Sequence, residues 1–171
     1  MNELLIPISN AEFKNKVKIR FNNILDGFDL FKNFTIEAIN IEIGENKIIK
    51  FIENIFEENN CEAYVDFYIN RISDEDKAKL ITLAPDEDKN ILKLHLNSEP
   101  HDGVFYKLSN KTLIPFLVCL NTREIFFVTF YFINKPITIW GNYGMKFPCF
   151  FNTENYLEFY YNLSKSFGFF S

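Results

Sequence analysis

The residues from Thr112 to Phe151 constrain the fold more than any other part of this chain. They read TLIPFLVCLNTREIFFVTFYFINKPITIWGNYGMKFPCFF, in which two apolar runs flank Asn121-Thr122-Arg123-Glu124 and a third run follows Lys135-Pro136. Short apolar runs separated by turn residues are typical of a hairpin and a third strand at the centre of a sheet. We therefore predict a buried sheet here and not a membrane span, which needs about 20 consecutive apolar residues.

Aromatic residues are concentrated in the same part of the chain. Of the 30 Phe, Tyr and Trp residues, 20 lie between Val104 and Ser171. A chain of 171 residues with 47% hydrophobic content can bury roughly 70% of its unfolded surface around one core. We predict a single domain covering residues 1–171, with most of its core volume supplied by the C-terminal part.

Capping signals and helical periodicity predict four helices. They are a first helix from the capping box Ser9-Asn10-Ala11-Glu12 to Gly27, a second from Gly44 to Asn59-Asn60, a third from Ser73 to about Leu83, and a last one from Asn152 or Thr153 to Gly168.

Alternating apolar residues predict further strands outside the central stretch. These strands cover residues 34–43, with Ile39, Ile41 and Ile43 on one face, and residues 63–70, 92–96 and 104–108. Residues 85–90 are predicted to form a charged loop and residues 98–103 a turn. The elements indicate an α+β fold with a mainly antiparallel sheet of about five to seven strands, against which N- and C-terminal helices pack.

Charge is unevenly distributed along the chain. The net charge of −5 arises mainly from residues 42–102, which carry fifteen acidic and seven basic residues, whereas residues 103–171 have a net charge of +3. Acid clustered in the middle third favours a basic partner and not a nucleic acid, whose binding needs a basic surface. The alternative explanation is that acidic loops keep a Phe-rich protein soluble.

The residues that usually carry chemistry form no recognisable site. Cys61, Cys119 and Cys149 lack metal-binding spacing and are interpreted as free thiols in a reducing compartment. His95 and His101 have no partner at a zinc-ligand spacing, and the six glycines form no phosphate-binding loop. The N-terminus lacks the basic start and long apolar segment of a signal peptide. We predict a cytoplasmic protein without cofactor, metal or catalytic residues.

Enzymatic interpretations are still open as alternatives. Asp66 and Glu62 lie on the strand predicted at residues 63–70 or next to it, and could face a cleft as an acid and base pair. A buried thiol, Cys119 or Cys149, could meet His101 in space, although a small apolar role in a strand explains both cysteines.

A small, acidic chain rich in Phe, Ile, Asn and Lys, with an α+β pattern and no catalytic motif, resembles the immunity proteins of contact-dependent growth inhibition and related bacterial polymorphic-toxin systems. The resemblance is carried by size, acidity and the missing enzymatic signatures. It implies a non-enzymatic protein of the cytoplasm that binds a cognate toxin domain, often a nuclease, and covers its active site. An acidic surface would occupy the basic groove that a nuclease needs for phosphate.

Two acidic segments and two tyrosines are the expected partner-binding residues: Asp74, Glu75, Asp76, Asp86, Glu87, Asp88, Tyr64 and Tyr68. Trp140 and Tyr143 are further aromatic residues of the type that anchors interfaces. We expect neither direct nucleic-acid binding nor membrane association. The alternative functions are a small hydrolase or transferase with a site around His101 and Asp102, and a domain whose aromatic-rich sheet encloses a ligand pocket.

Overall fold

A computed structural model describes residues 5–97 and 101–170 of the protein. Its strands are β1 (Ile6–Pro7), β2 (Lys32–Glu37), β3 (Ala63–Asp66), β4 (Phe105–Leu108), β5 (Thr129–Phe132), β6 (Ile137–Trp140) and β7 (Lys146–Phe151). Its helices are α1 (Asn10–Lys16), α2 (Ile24–Leu30), α3 (Ile41–Glu58), α4 (Asp74–Leu83), α5 (Asp86–Leu96), α6 (Ile114–Thr122) and α7 (Glu154–Ser166). Short 3₁₀ helices cover Tyr68–Arg71 and Lys111–Leu113.

The seven strands form one antiparallel sheet in the order β1-β4-β3-β5-β6-β7-β2. This arrangement confirms the predicted α+β fold and its mainly antiparallel sheet. The two edge strands, β1 and β2, both come from the N-terminal quarter of the chain. Within the described ranges no helix is both long and apolar enough to cross a membrane.

The pleat of the central strands separates the sheet into two faces. Residues in register on the first face are Val65, Phe130, Ile139 and Cys149, and those on the second face are Tyr64, Tyr131, Thr138 and Phe150. All eight side chains are buried, so both faces of the central strands need a covering layer.

Helices α3, α6 and α7 cover the first face. The 18-residue α3 buries a continuous apolar stripe that includes Ile48, Phe51 and Ile55. In contrast, α6 is buried on almost every side, with eight of its nine residues removed from solvent. The first face therefore carries the main core.

The N-terminal segment, residues 8–30, covers the second face. Its cluster consists of Ile8, Phe13, Val17, Tyr64 and Tyr131. Farther along the sheet, the Thr138 hydroxyl donates a hydrogen bond to the carbonyl of Ile19 over 2.6 Å, and the Phe21 ring lies edge-on to Phe150. This cover is thin, because α1 and α2 have only seven residues each.

For each of the four predicted helices, the end that has a capping residue is confirmed. Ser9 accepts a hydrogen bond from the amide of Glu12 at the start of α1, and Ser73 and Thr153 cap α4 and α7 in the same way. The second predicted helix corresponds to α3 and ends at Glu58, with Asn59 as its C-cap. Side-chain caps fix these ends because they satisfy amides that have no partner within the helix.

The first predicted helix is wrong beyond Lys16. Backbone torsions become extended at Val17, and a second helix, α2, starts after the N-cap Asn23. Gly27 lies inside α2 and does not end a helix there. A side chain at Gly27 would come within 2.7 Å of the Phe21 ring, so the glycine lets this ring pack under α2.

The strand predicted at residues 34–43 is wrong in its second half. Strand β2 ends at Glu37, and the Asn40 side chain accepts a hydrogen bond from the amide of Ile43 to start α3. Gly44 permits this turn, because a Cβ atom there would lie 2.4 Å from the Cβ atom of Ala38. As a result, Ile39 and Ile43 are 98% and 67% exposed instead of buried in the sheet.

Two other strand predictions are wrong because the segments are helical. The first half of the predicted central hairpin is α6, which starts with Pro115 in its first turn, where a missing amide hydrogen costs nothing. The predicted loop at residues 85–90 and strand at residues 92–96 together form α5, with acids in its first turn. The hairpin of the sheet is instead β5–β6. Its second strand, β6, is the third strand predicted after Lys135-Pro136, and β7 pairs with β6 on the other side. Of the turn predicted at residues 98–103, residues 98–100 lie outside the described ranges.

A buried polar network joins α3, α7 and the β5–β6 turn. The Asn59 side chain accepts a hydrogen bond from the amide of Lys135 over 2.7 Å and donates to the Tyr160 hydroxyl over 3.0 Å. The same hydroxyl donates to the carbonyl of Lys135 over 2.7 Å. Because Asn59 and Tyr160 are both fully buried, each of these groups depends on the others for a partner.

Removing the Asn59 side chain should therefore destabilise the protein. We expect Asn59→Ala to lower the free energy of unfolding by about 3 kcal/mol, because it leaves the part-buried Lys135 amide without an acceptor and removes a donor to the buried Tyr160 hydroxyl. Urea unfolding measures the change. The control is Asn46→Ala on the exposed side of α3, which should be neutral or slightly stabilising; equal stability of the two variants would contradict the role of the network.

Candidate functional site

The first acidic segment lies at the start of α4. Asp74, Glu75 and Asp76 are exposed, and Ser73 accepts a hydrogen bond from the amide of Asp76 over 3.1 Å. Lysines of the next turn approach these carboxylates, with Lys79 2.9 Å from Glu75. Such exposed pairs contribute little to stability. The acids therefore remain available to a partner.

The second acidic segment, at the start of α5, has two exposed acids and one buried one. Asp86 and Glu87 are exposed, and the Lys89 ammonium lies 2.6 Å from Asp86 and lowers its pKa. Asp88 is only 7% exposed, and burial raises the pKa of its carboxyl group. The expectation that Asp88 belongs to the acidic surface is therefore corrected: its side chain faces the interior.

The two tyrosines predicted as partner contacts lie in different environments. Tyr64 is fully buried under the N-terminal segment, where its hydroxyl donates a hydrogen bond to Glu62 over 2.6 Å. It is therefore not a surface residue, and burial raises its pKa. Tyr68 is 46% exposed and lies in the 3₁₀ helix after β3, where it lines a cleft of about 990 Å³.

Helix α4 exposes most of its surface. Of its ten residues, Leu80 alone is buried, and Leu83 at the last turn is 68% exposed. A shallow groove of about 430 Å³ runs along the outside of the helix and is lined by Glu75, Ala78, Lys79, Thr82 and Leu83. An exposed helix with an acidic start and an apolar end has the mixed composition of an interface.

His101 and Asp102 lie in a turn that the 3₁₀ helix at Tyr68–Arg71 holds in place. The Asn70 amide donates to the carbonyl of His101 over 2.7 Å, and Arg71 donates to the carbonyl of Asp102. The hollow beside them is open, has a volume of about 540 Å³ and is lined by Ser9, Asn10, Ala11, His101, Asp102 and Gly103. Among the described residues, Asp102 is the single carboxylate of this lining, so the distant carboxylates of the hydrolase hypothesis are not brought to His101.

The cysteines and the other histidine lie away from this hollow. Cys119 and Cys149 are buried, in α6 and β7, and burial raises the pKa of both thiols, that of Cys119 to about 12. His95 packs against Phe67 and Tyr106, and burial lowers its pKa to about 4. In residues 5–97 and 101–170, no three His, Cys, Asp or Glu side chains are grouped in a way that could hold a metal ion.

The largest cleft opens on the second face of the sheet, between the N-terminal segment and the ends of β3, β5 and β6. Its volume is about 990 Å³. The cleft has aromatic walls, a carboxylate from Asp66 and basic side chains from the N-terminal segment. Trp140 and Tyr143, predicted as interface aromatics, both line it. A cleft of this size with a few convergent polar groups is the usual form of a small-molecule site.

Asp66 is the buried carboxylate of this cleft. One of its oxygens accepts a hydrogen bond from the amide of Thr129 over 2.7 Å, and the other accepts one from the Tyr131 hydroxyl over 3.1 Å. Burial raises the pKa of Asp66 to about 6, although the hydrogen bonds from Thr129 and Tyr131 partly oppose the shift. The nearby negative charge of Asp66 adds to the effect of burial in raising the pKa of Tyr68.

The carboxylate pair considered from the sequence is not assembled. Asp66 lines the cleft, but Glu62 pairs with Lys107 over 3.3 Å and accepts the Tyr64 hydrogen bond instead. The hydrogen bond from Tyr64 lowers the pKa of Glu62, and the partial burial of Glu62 opposes this shift. The sequence identified Asp66 as a candidate carboxylate, but it did not indicate that basic residues line the same cleft.

Comparisons with known proteins identify no relative. No family model matches the sequence, no curated protein matches it, and no solved structure matches the fold. The functional conclusions therefore depend on the geometry of the described residues.

The raised pKa of Asp66 predicts a specific pH dependence of stability. Because the pKa is higher in the folded than in the unfolded state, the contribution of Asp66 to stability is greatest below pH 4 and is lost as the pH rises to about 6. We expect the wild type to lose about 3 kcal/mol of unfolding free energy relative to Asp66→Asn over this range. The asparagine can accept from the Thr129 amide and donate to the Tyr131 oxygen, so the shape is retained.

Urea unfolding of both proteins at pH 4 and pH 7 measures this difference. The matched control is Asp29→Asn, an exposed acid of α2, whose stability should follow that of the wild type at both pH values. Parallel pH dependence of the wild type and Asp66→Asn would contradict the assignment.

Proposed function

We propose that this protein is a toxin-neutralising immunity protein of the cytoplasm, which binds a basic toxin domain and covers its active site without catalysing a reaction. The observation that supports this proposal most directly is the surface of α4. Nine of its ten residues are not buried, and acidic side chains occupy its first turn. A helix that contributes so little to the core is free to contribute to an interface.

Acids at both ends of α4 extend this surface. A connection of two residues, Ala84 and Pro85, joins α4 to α5, so Asp86 and Glu87 follow the last turn of α4. Ten helical residues span about 15 Å. Acidic groups spaced over this distance can contact several cations of a phosphate-binding groove, and their field raises the rate of association with a basic partner.

Exposed aliphatic residues provide a second candidate contact. Ile39, Ile41 and Ile43 at the start of α3 are 98%, 43% and 67% exposed, and the adjacent Glu42 is exposed as well. Apolar residues clustered at the surface frequently mark protein interfaces. They would supply the apolar burial that charge alone does not provide.

The proposal is tested by identifying the partner and then varying the charge of α4 and α5. The tagged protein is used to isolate its partner from extracts of its own cells, and the binding kinetics are measured at low and high salt. We expect Asp74→Asn, Glu75→Gln, Asp86→Asn and Glu87→Gln together to lower the association rate about tenfold or more and to weaken its salt dependence.

A control with the same change in net charge separates the surface from the total charge. It neutralises four exposed acids on α2, β2 and α7: Asp29→Asn, Glu37→Gln, Glu154→Gln and Glu158→Gln. The control should bind almost as fast as the wild type. Absence of any basic protein partner, or equal effects of the two sets, would refute the proposed interface.

Aliphatic contacts are tested by Ile39→Ser combined with Ile43→Ser. Both side chains are exposed, so the substitutions should leave the unfolding midpoint unchanged. If the partner covers them, dissociation should be about tenfold faster or more, because each buried side chain contributes about 1.5–3 kcal/mol. Unchanged dissociation would exclude this segment from the interface.

A further inference from the structure

The cleft on the second face has three zones that each suit a different part of one ligand. Asp66 provides hydrogen-bond acceptors at its base, aromatic rings form its walls, and cations lie along the N-terminal segment at its edge. This combination is separate from the α4 surface and does not depend on the proposed immunity function.

The carboxylate at the base can accept more hydrogen bonds than the protein gives it. Each oxygen of Asp66 accepts one hydrogen bond within the protein, from Thr129 and from Tyr131. A carboxylate has about four acceptor positions, and the Thr129 side chain and the amide of Asp66 itself also stabilise the charged carboxylate, so few positions are left for a ligand. A ligand with one or two adjacent N–H groups would satisfy them.

The walls favour a planar ring. Two pairs of rings already stack on each other in these walls: Phe13 and Phe105, with centroids 3.7 Å apart and planes 5° apart, and Phe21 and Trp140 at 5.3 Å, so the paired faces are closed to a ligand. Near the mouth, Tyr143 is 66% exposed. Exposed aromatic faces bind planar rings by stacking, and each stacked base contributes about 1–3 kcal/mol in nucleic-acid-binding proteins.

The edge of the cleft is basic although the protein is acidic. Lys14, Lys18 and Arg20 line it, and within the described residues none of them forms an ion pair with a carboxylate. Lys18 and Arg20 donate hydrogen bonds to the carbonyls of Asn15 and Val17, which fixes their positions. Cations without acidic partners favour an anionic ligand group.

One acid also lies at this edge, but it already has a partner. The Asp26 carboxylate accepts a hydrogen bond from the Asn23 side chain over 2.7 Å at the start of α2. Its single negative charge offsets only part of the three positive charges of Lys14, Lys18 and Arg20.

We propose that this cleft binds a small anionic molecule whose planar ring carries N–H donors, the chemistry of a nucleoside monophosphate. The ring packs against the aromatic walls, its N–H groups donate to Asp66, and the phosphate contacts Lys18 and Arg20. Many nucleotide sites bind the phosphate with the backbone amides of a glycine-rich loop. Here lysine and arginine side chains would bind it instead, so the sequence needs no glycine-rich motif. The volume of about 990 Å³ accommodates such a molecule.

Calorimetric titration with GMP, AMP, CMP and UMP tests the proposal directly. We expect at least one of them to bind with a Kd below about 100 μM, with GMP tightest because guanine presents two adjacent N–H donors to one carboxylate. Guanosine and inorganic phosphate, which each lack one half of the ligand, should bind at least about tenfold more weakly.

Variants assign the two ends of the ligand. Arg20→Ala should weaken GMP binding about tenfold and leave guanosine binding unchanged, because a hydrogen bond from a charged group contributes about 1.5–3 kcal/mol. Asp66→Asn should reduce the preference for GMP over the other three nucleotides. The control Lys50→Ala removes an exposed lysine of α3, which packs against the first face of the sheet, and should change nothing.

Two results would overturn the proposal. One is failure of all four nucleotides to bind the folded wild-type protein at about 5 mM, which corresponds to less than about 3 kcal/mol of binding free energy. The other is an equal loss of GMP affinity in Arg20→Ala and Lys50→Ala, which would show that binding depends on the net charge of the protein and not on this cleft. Neither result bears on the α4 surface, so the two proposals fail independently.

Discussion

Burial of the central strand β5 on both faces is the constraint on which the rest of the structure depends. Phe130 and Phe132 point into the layer of α3, α6 and α7, so Thr129 and Tyr131 must point to the other side. A buried tyrosine hydroxyl needs a partner, and Asp66 of the neighbouring strand supplies it. The polar pair then requires the N-terminal segment as a cover.

The layers that cover the two faces of the sheet differ in thickness, and the cleft lies under the thinner layer. The first face is packed by helices of 18, 9 and 13 residues, whereas the second receives two helices of 7 residues each and the extended chain between them. Short helices cannot fill the space above a seven-stranded sheet. The open region lies above the ends of β3, β5 and β6, which explains why Asp66, a residue needed for the sheet, also faces the largest cleft.

Local signals in the sequence were sufficient where one residue type has one structural role. The caps Ser9, Ser73 and Thr153 located three helix starts correctly. The failures involve apolar runs without a distinctive period: residues 114–122 are buried on nearly all sides as a helix, and such a run reads equally well as a strand. The cleft was beyond local signals, because it combines residues 13–30, 66–68, 105 and 127–143.

The uneven charge of the sequence has a structural counterpart. Acid from residues 42–102 lies partly on α4 and α5, whose buried leucines Leu80 and Leu92 join the cluster on the first face. Lys14, Lys18 and Arg20 lie at the cleft on the second face. Because the two surfaces carry opposite charges, a partner of one charge is complementary to only one of them. By charge, a basic protein would suit the helices and an anionic small molecule would suit the cleft, as proposed above. Residues 1–41 contain five acidic and five basic residues, so their net charge of zero hides the basic side of the cleft. A charge summed along the chain does not show on which side of the sheet each charged residue lies.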